Sequence, residues 1–159
     1  MDGAELCVIF NPAAGKHRAA RRLEKLRQSW GAHVVFQPTS EPGHAVELAR
    51  AAAKAGFTIV AAAGGDGTVH EVANGLLQAQ RPDVRFGIFP IGSANDYAYS
   101  VTKHVCETPA PHNVDVGRVR SPDGREKFFV CVLGLGLNGA VTLEARRIQW
   151  LQGMALYGL

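Results

Sequence analysis

The sequence predicts an α/β protein, with a mainly parallel sheet covered by helices on both faces, followed by the opening of a second unit. Three observations lead there. Through roughly the first ninety residues, short apolar runs alternate with segments whose apolar residues recur at helical spacing. The first, third and fourth apolar runs end at Asn11-Pro12, Gly64-Gly65-Asp66-Gly67 and Pro90-Ile91-Gly92, the punctuation that separates a strand from a helix. Beyond about residue 105 the alternation stops, and two strand-like runs face each other across Ser121-Pro122-Asp123-Gly124.

In chain order, Leu6–Phe10 is a continuous apolar run of strand length. An amphipathic helix follows, with Lys16, Arg18, Arg21, Arg22, Lys25 and Arg27 against a single Glu24, and Ala19, Leu23, Leu26 and Trp30 on the opposite stripe. Its basic face reads either as a solvated surface or as a surface for anionic lipid head groups. It lacks the interleaved aromatics of a base-stacking surface. Ala32 to Gln37 is the second strand, and Thr39-Ser40-Glu41-Pro42-Gly43 a turn. His44 to Ala55 is helical, with Ala45, Leu48, Ala49 and Ala52 on one face. Thr58 to Ala63 is the third strand, Val69 to Gln80 the third helix, Val84 to Pro90 the fourth strand and Ser93 to Ser100 a short helix. Repeated strand-helix units imply a parallel sheet, and ligands of such sheets bind at the carboxyl ends of the strands.

Thr108-Pro109-Ala110-Pro111 marks a break, after which Asn113 to Val119 and Glu126 to Leu133 form a hairpin. Gly134-Leu135-Gly136 then leads to helical residues from Val141 to Ile148 and an apolar stretch from Trp150 to Leu159. That stretch reads as a core-facing helix or as a segment that binds a partner or membrane. A hairpin and one helix do not make a stable domain. The expected division is therefore an α/β domain over 1–105, then a linker and an incomplete second domain over 106–159.

Composition narrows the function classes. The 159 residues are 47% apolar and 19% charged, as in soluble globular proteins, and no run approaches membrane-spanning length. Met1-Asp2-Gly3-Ala4-Glu5 lacks the plan of a signal peptide, so a cytoplasmic protein is expected. Cys7, Cys106 and Cys131 have no metal-ligand spacing, and the six histidines form no zinc motif. A net charge of +3 is too small to argue for nucleic acid.

The most informative stretch is Gly64-Gly65-Asp66-Gly67-Thr68. A strand, a glycine turn and a helix free backbone amides to face a phosphate. An aspartate in such a loop repels phosphate unless a cation lies between them, so the stretch reads either as a metal-nucleotide site or as an ordinary tight turn. It is neither a Walker loop nor a dinucleotide fingerprint. Ala13-Ala14-Gly15-Lys16-His17 lacks the first glycine and the hydroxyl of the former, and His70 occupies the third glycine position of the latter. Thr68-x-x-Glu71 and Ser93-x-x-Asp96 both fit capping boxes.

Two further strand ends complete a pattern: Asn11-Pro12-Ala13-Ala14-Gly15-Lys16 and Gly92-Ser93-Ala94-Asn95-Asp96. With these loops, the chain resembles the catalytic domain shared by diacylglycerol kinases, sphingosine and ceramide kinases and bacterial lipid kinases, over essentially residues 5 to 150. Ala94 is similar to the bacterial subgroup. The resemblance implies a three-layer, Rossmann-like nucleotide domain, as also found in NAD kinases, followed by a β-rich lipid-binding domain. It implies ATP and Mg2+ as cofactors and γ-phosphoryl transfer to a lipid hydroxyl, such as that of diacylglycerol, at the membrane surface. Nucleotide and lipid are then the partners, nucleic acid is not, and a homodimer is compatible.

Residue by residue, the resemblance implies that Asn11, Pro12, Gly15 and Lys16 hold the nucleotide on the first loop. Thr39, Gly43 and His44 border the adenosine. Gly64, Gly65, Gly67 and Thr68 cradle the triphosphate, with Asn74 one helix face later, and Gly92, Ser93 and Asn95 close the opposite side. Asp66 and Asp96 are catalytic, and with Asp115 they hold magnesium directly or through water. Other roles stay open: Asp96 as a capping residue, Asp115 as a surface strand residue, Asn74 as a hydrogen-bonding partner within its own helix and glycine turn, His44 as a helix-start residue. Family members continue well beyond this length, and the second domain supplies most of the lipid pocket and a candidate general base. Weak or absent activity is therefore expected of these residues alone. The alternatives are a non-catalytic nucleotide-binding or interaction module and an NAD kinase-like enzyme.

Overall fold

Side chains of a strand alternate between two faces, so a sheet buried on both sides needs apolar residues at nearly every position. Leu6–Phe10 (β1) and Ile59–Gly64 (β3) satisfy this and form the centre of a four-stranded parallel sheet. Val34–Pro38 (β2) and Arg85–Pro90 (β4) lie outside them, in the order β2-β1-β3-β4. The computed structural model describes residues 5–14, 18–30, 33–105, 111–136 and 139–140.

Register decides which helix each residue meets. Cys7, Ile9, Val60 and Ala62 face Ala45, Ala49 and Ala52 of His44–Lys54 (α2) and Val69 and Val72 of Asp66–Ala79 (α3). Val8, Ala61 and Ala63 face the other way, toward Leu23 and Trp30 of Arg18–Trp30 (α1). On that side the Trp30 and Phe89 rings meet in a tilted contact, centroids 5.0 Å apart, and the Arg27 guanidinium lies 5.3 Å from the centroid of Phe36. The result is helix, sheet and helix pair, a three-layer α/β arrangement. Burial pushes the Cys7 thiol up to about 11, which makes it a small apolar core residue at neutral pH.

Two helix starts differ from the sequence expectation. α3 begins at Asp66 rather than Val69, with extended Gly65 before it and no side-chain cap. Thr68 thus lies inside the first turn, where it cannot cap, and the Thr68–Glu71 capping box does not form. Asp96–Val105 (α4) likewise begins at Asp96 rather than Ser93. Asn95 takes φ +61°, and its carbonyl receives the first helical bond from the Tyr99 N–H at 3.0 Å. The Ser93–Asp96 capping box is absent for the same reason.

The hairpin is present but shorter than expected. Gly117–Arg120 (β5) pairs antiparallel with Glu126–Phe129 (β6), and the turn closes through Gly124 at φ +84°. Cys131, expected inside a strand, lies exposed beyond the end of β6. Cys106, most of the Thr108–Pro111 break, the helix from Val141 to Ile148 and the Trp150–Leu159 stretch lie outside the described residues. Among the described residues no helix is long and apolar enough to cross a membrane.

Candidate functional site

The carboxyl ends of β1, β3 and β4 are brought level by register, with Phe10 opposite Ala63 and Ala63 opposite Phe89. Helices α1 and α2 depart from the sheet on opposite faces, which leaves a crevice at this end. Asn11 shapes the first rim. Its N–H extends the β1 ladder to the Ala63 carbonyl at 3.2 Å, and its Oδ1 accepts the Ala13 N–H at 2.8 Å. On the other side, the Thr39 N–H donates to the Phe10 carbonyl at 2.8 Å and starts the turn into α2.

Between these rims and the first turns of α3 lies a cavity of about 490 Å³. Asn11, Pro12 and Ala13 form one wall, Thr39 to Pro42 the second, and Gly67, Thr68 and Glu71 the third. Gly64 and Thr68 are matched: a Cβ at Gly64 would overlap the Thr68 hydroxyl, so glycine here lets Thr68 turn inward, 8% exposed. Nothing lies within 4 Å of the place a Cβ would take at Gly67, so the backbone of this lining residue stands in open space. The N–H groups of a first helical turn have no intrahelical acceptor, which makes this wall a donor surface for an anion.

Asp66 ties two loops together. Its Oδ2 accepts the Asp96 N–H at 3.2 Å and its Oδ1 the Tyr97 N–H at 3.0 Å, so one carboxylate caps α4 from a neighbouring loop. Asn95 is used within its own loop, where its Oδ1 accepts the Gly92 N–H and its Nδ2 donates to the Gly92 carbonyl, both at 3.0 Å. The two loops meet backbone to backbone, because a Cβ at Gly92 would overlap the Gly65 Cα and lie 2.7 Å from its nitrogen. Gly92→Ala must therefore part the loops. The expected result is a folded protein, destabilised by about 1–3 kcal/mol, whose nucleotide affinity falls roughly tenfold or more in a fluorescent-nucleotide titration. Wild-type affinity would show that the two loops need not touch.

The sequence-derived residues divide by location. Asn11, Pro12, Thr39, Gly67 and Thr68 line the cavity. Gly43, at φ +92°, precedes α2, and the His44 Nδ1 accepts the Ser40 N–H at 3.1 Å, so this pair shapes the turn. Ser93 is exposed on the α4 loop. Asp115 is exposed ahead of β5, and among the described residues no three His, Cys, Asp or Glu side chains gather closely enough to hold an ion. Asn74 lies further along α3 and bonds to β6. Gly15 and Lys16 lie outside the described residues. Glu71 was overlooked as a wall residue. It stands one turn after Gly67 on the same helix face, the i, i+4 relation that could have revealed it, and its Oε2 accepts the Ala45 N–H at 3.3 Å.

A profile of the diacylglycerol kinase catalytic domain matches residues 5–121. The chain belongs to that family. Among curated relatives, this diacylglycerol kinase catalytic domain is 33% identical over 151 residues to a probable YegS-like lipid kinase of Chromohalobacter salexigens, covering 89% of the chain and 46% of the relative. It is 38% identical over 96 residues to a diacylglycerol kinase of Bacillus subtilis, covering 57% of the chain and 31% of the relative. A crystal structure of a diacylglycerol kinase from Bacillus anthracis superposes with a TM-score of 0.52 at 28% identity, covering 64% of the chain and 38% of that structure. The chain therefore spans less than half the length of these relatives.

The kinase-domain site also has an electrostatic side. Cys131, beyond β6, has its thiol pushed up by partial desolvation and then by the charges of Asp66 and Asp96. Burial and nearby Lys127 hold the His70 imidazole below its ordinary range, against the opposing pull of Glu71. The residues fit a magnesium nucleotide. Open Gly67 and the first turn of α3 suit phosphate, and Asp66 and Asp96 offer hard oxygen donors, each Asp66 oxygen retaining a second lone pair.

Proposed function

We propose that this domain binds MgATP and serves the transfer of its γ-phosphoryl group to a lipid hydroxyl such as that of diacylglycerol. The observation that carries the reading is the cavity at the strand ends, walled by the Asn11 loop and the first turn of α3, the helix whose first residue is Asp66. The phosphates would lie along Gly64–Thr68, the adenosine between the Asn11 loop and Thr39–Pro42, and the γ-phosphate toward Asp66 and Asp96. Magnesium, when bound, neutralises developing charge on the phosphate oxygens. Two carboxylates and the phosphates themselves can supply its ligands, so no preformed cluster of three acids is required. Asp66 would act both as donor to that ion and as the brace that sets α4. Asp115 would contribute through water.

The acceptor would arrive from a membrane surface, and the residues that form most of its pocket, including a general base, would belong to the β-rich second domain that β5 and β6 begin. This chain alone is therefore proposed to bind nucleotide with weak or no turnover.

Calorimetric titration with ATP, with and without magnesium, tests the reading. A saturable signal that EDTA abolishes is expected, with no comparable signal for NAD. Tight NAD binding, or nucleotide binding indifferent to EDTA, would refute it. Rapid phosphorylation of diacylglycerol vesicles by purified 1–159 would overturn the proposed division of labour.

A further inference from the structure

Asn74 is 5% exposed on α3, about two turns beyond Gly67. Both ends of its amide are engaged. The Nδ2 donates to the Phe128 and His70 carbonyls, each at 2.9 Å, and the Oδ1 accepts the Phe128 N–H at 3.0 Å. Phe128 sits opposite Arg118 and turns both main-chain groups away from β5 toward Asn74. A side-chain amide has the same donor and acceptor as a peptide, so Asn74 gives β6 what one residue of a neighbouring strand would give. A two-stranded ribbon is marginal alone and prone to slip in register. A slip of one residue would offer Phe129 to Asn74 and withdraw Val130 from the cluster it shares with Tyr97, whose N–H is held by Asp66.

We infer that Asn74 is a positioning residue: by standing in for a strand along the outer edge of β6, it holds Val130 in the cluster with Tyr97 and so sets where the chain leaves β6 relative to the Asp66–Asp96 contact. The inference rests on the phosphoryl-transfer reading for its meaning, and on the Asn74–Phe128 pair for its geometry. One helix then has two tasks. Its first turn walls the cavity, and Asn74 fixes where the chain leaves β6. An apolar residue at 74 could fill the same space but would not choose a register.

The test uses hydrogen exchange at the Phe128 amide and alkylation of Cys131 by iodoacetamide, read by peptide mass, in the wild type, Asn74→Ala and Asn74→Asp. In the wild type the Phe128 amide should be protected, and MgATP should slow Cys131 alkylation several-fold. Asn74→Ala should exchange at Phe128 roughly tenfold faster or more, with β3 amides unchanged, and lose the nucleotide's shielding of Cys131. Asn74→Asp, which keeps the acceptor and loses the donor, should fall between. A Phe128 amide as labile as an exposed one in the wild type would overturn the inference, even if Asn74→Ala did not fold. So would undiminished shielding of Cys131 in a folded Asn74→Ala protein. Failure of the wild type to bind MgATP by calorimetry would instead refute the kinase reading, and Phe128 exchange would still judge the Asn74 pair.

Discussion

Asp66→Asn is expected to leave a folded protein whose MgATP-dependent phosphoryl transfer, assayed in a full-length context, falls by roughly a hundredfold or more. The substitution separates the observed capping role of the carboxylate from its proposed metal role. As a cap it accepts the Asp96 and Tyr97 N–H groups, one on each oxygen. Asparagine keeps one acceptor and sets an NH2 group against the other donor, at a cost of about 1–2 kcal/mol. A shift of that size lowers the melting temperature by several degrees without unfolding the domain. In the proposed metal role, however, asparagine brings no charge, and a magnesium ion held there would depend on neutralisation. Loss of activity should therefore far exceed loss of stability. A folded Asp66→Asn protein with wild-type turnover would confine Asp66 to capping α4.

Gly75→Ala is expected to cost about 3 kcal/mol, near the upper end for an overpacked site, although alanine normally stabilises a helix interior by up to about 1 kcal/mol over glycine. The reason is the approach of α2. A Cβ at Gly75 would overlap the Val46 carbonyl oxygen and lie 2.8 Å from the Ala49 Cβ. Neither obstacle is the end of a flexible side chain, so the helices must separate. Separation also moves Glu71 from the Ala45 N–H it receives at 3.3 Å, and with it one wall of the cavity. Thermal unfolding should show a markedly lower midpoint, with nucleotide affinity reduced in the same variant. An unchanged or higher midpoint would show that α2 and α3 have more room than their contact implies.

The α/β layers were legible because β1 and β3 are apolar at successive positions, and α2 presents Ala45, Ala49 and Ala52 at helical spacing. The cavity was legible in part: the Asn11 loop, Gly67 and Thr68, singled out by their motifs, and Thr39, implied by the family resemblance, all line it. The helix starts were misread for a physical reason. Thr68-x-x-Glu71 and Ser93-x-x-Asp96 satisfy a local pattern, yet the two helices begin where extended Gly65 and left-handed Asn95 place them. The α4 cap comes from Asp66, in another loop. The partner of Asn74 is 54 residues away, and no local pattern announces a pairing with the backbone of Phe128. Glu71 was masked by a plausible capping role that the fold does not use.

The alanine-rich packing between β3 and the α2–α3 pair has a consequence for how the domain tolerates change. Ala45, Ala49, Ala52 and Ala62 are at most 2% exposed, and Gly75 stands against the α2 backbone. These positions have little side chain to truncate, so the familiar penalty for creating a void has limited scope at them. Enlargement is the dangerous direction. Random variation should strike these positions asymmetrically, with Ala-to-Val and Gly-to-Ala exchanges purged strictly. Efforts to raise the thermal resistance of the domain by filling space should therefore avoid the contact between α2 and α3.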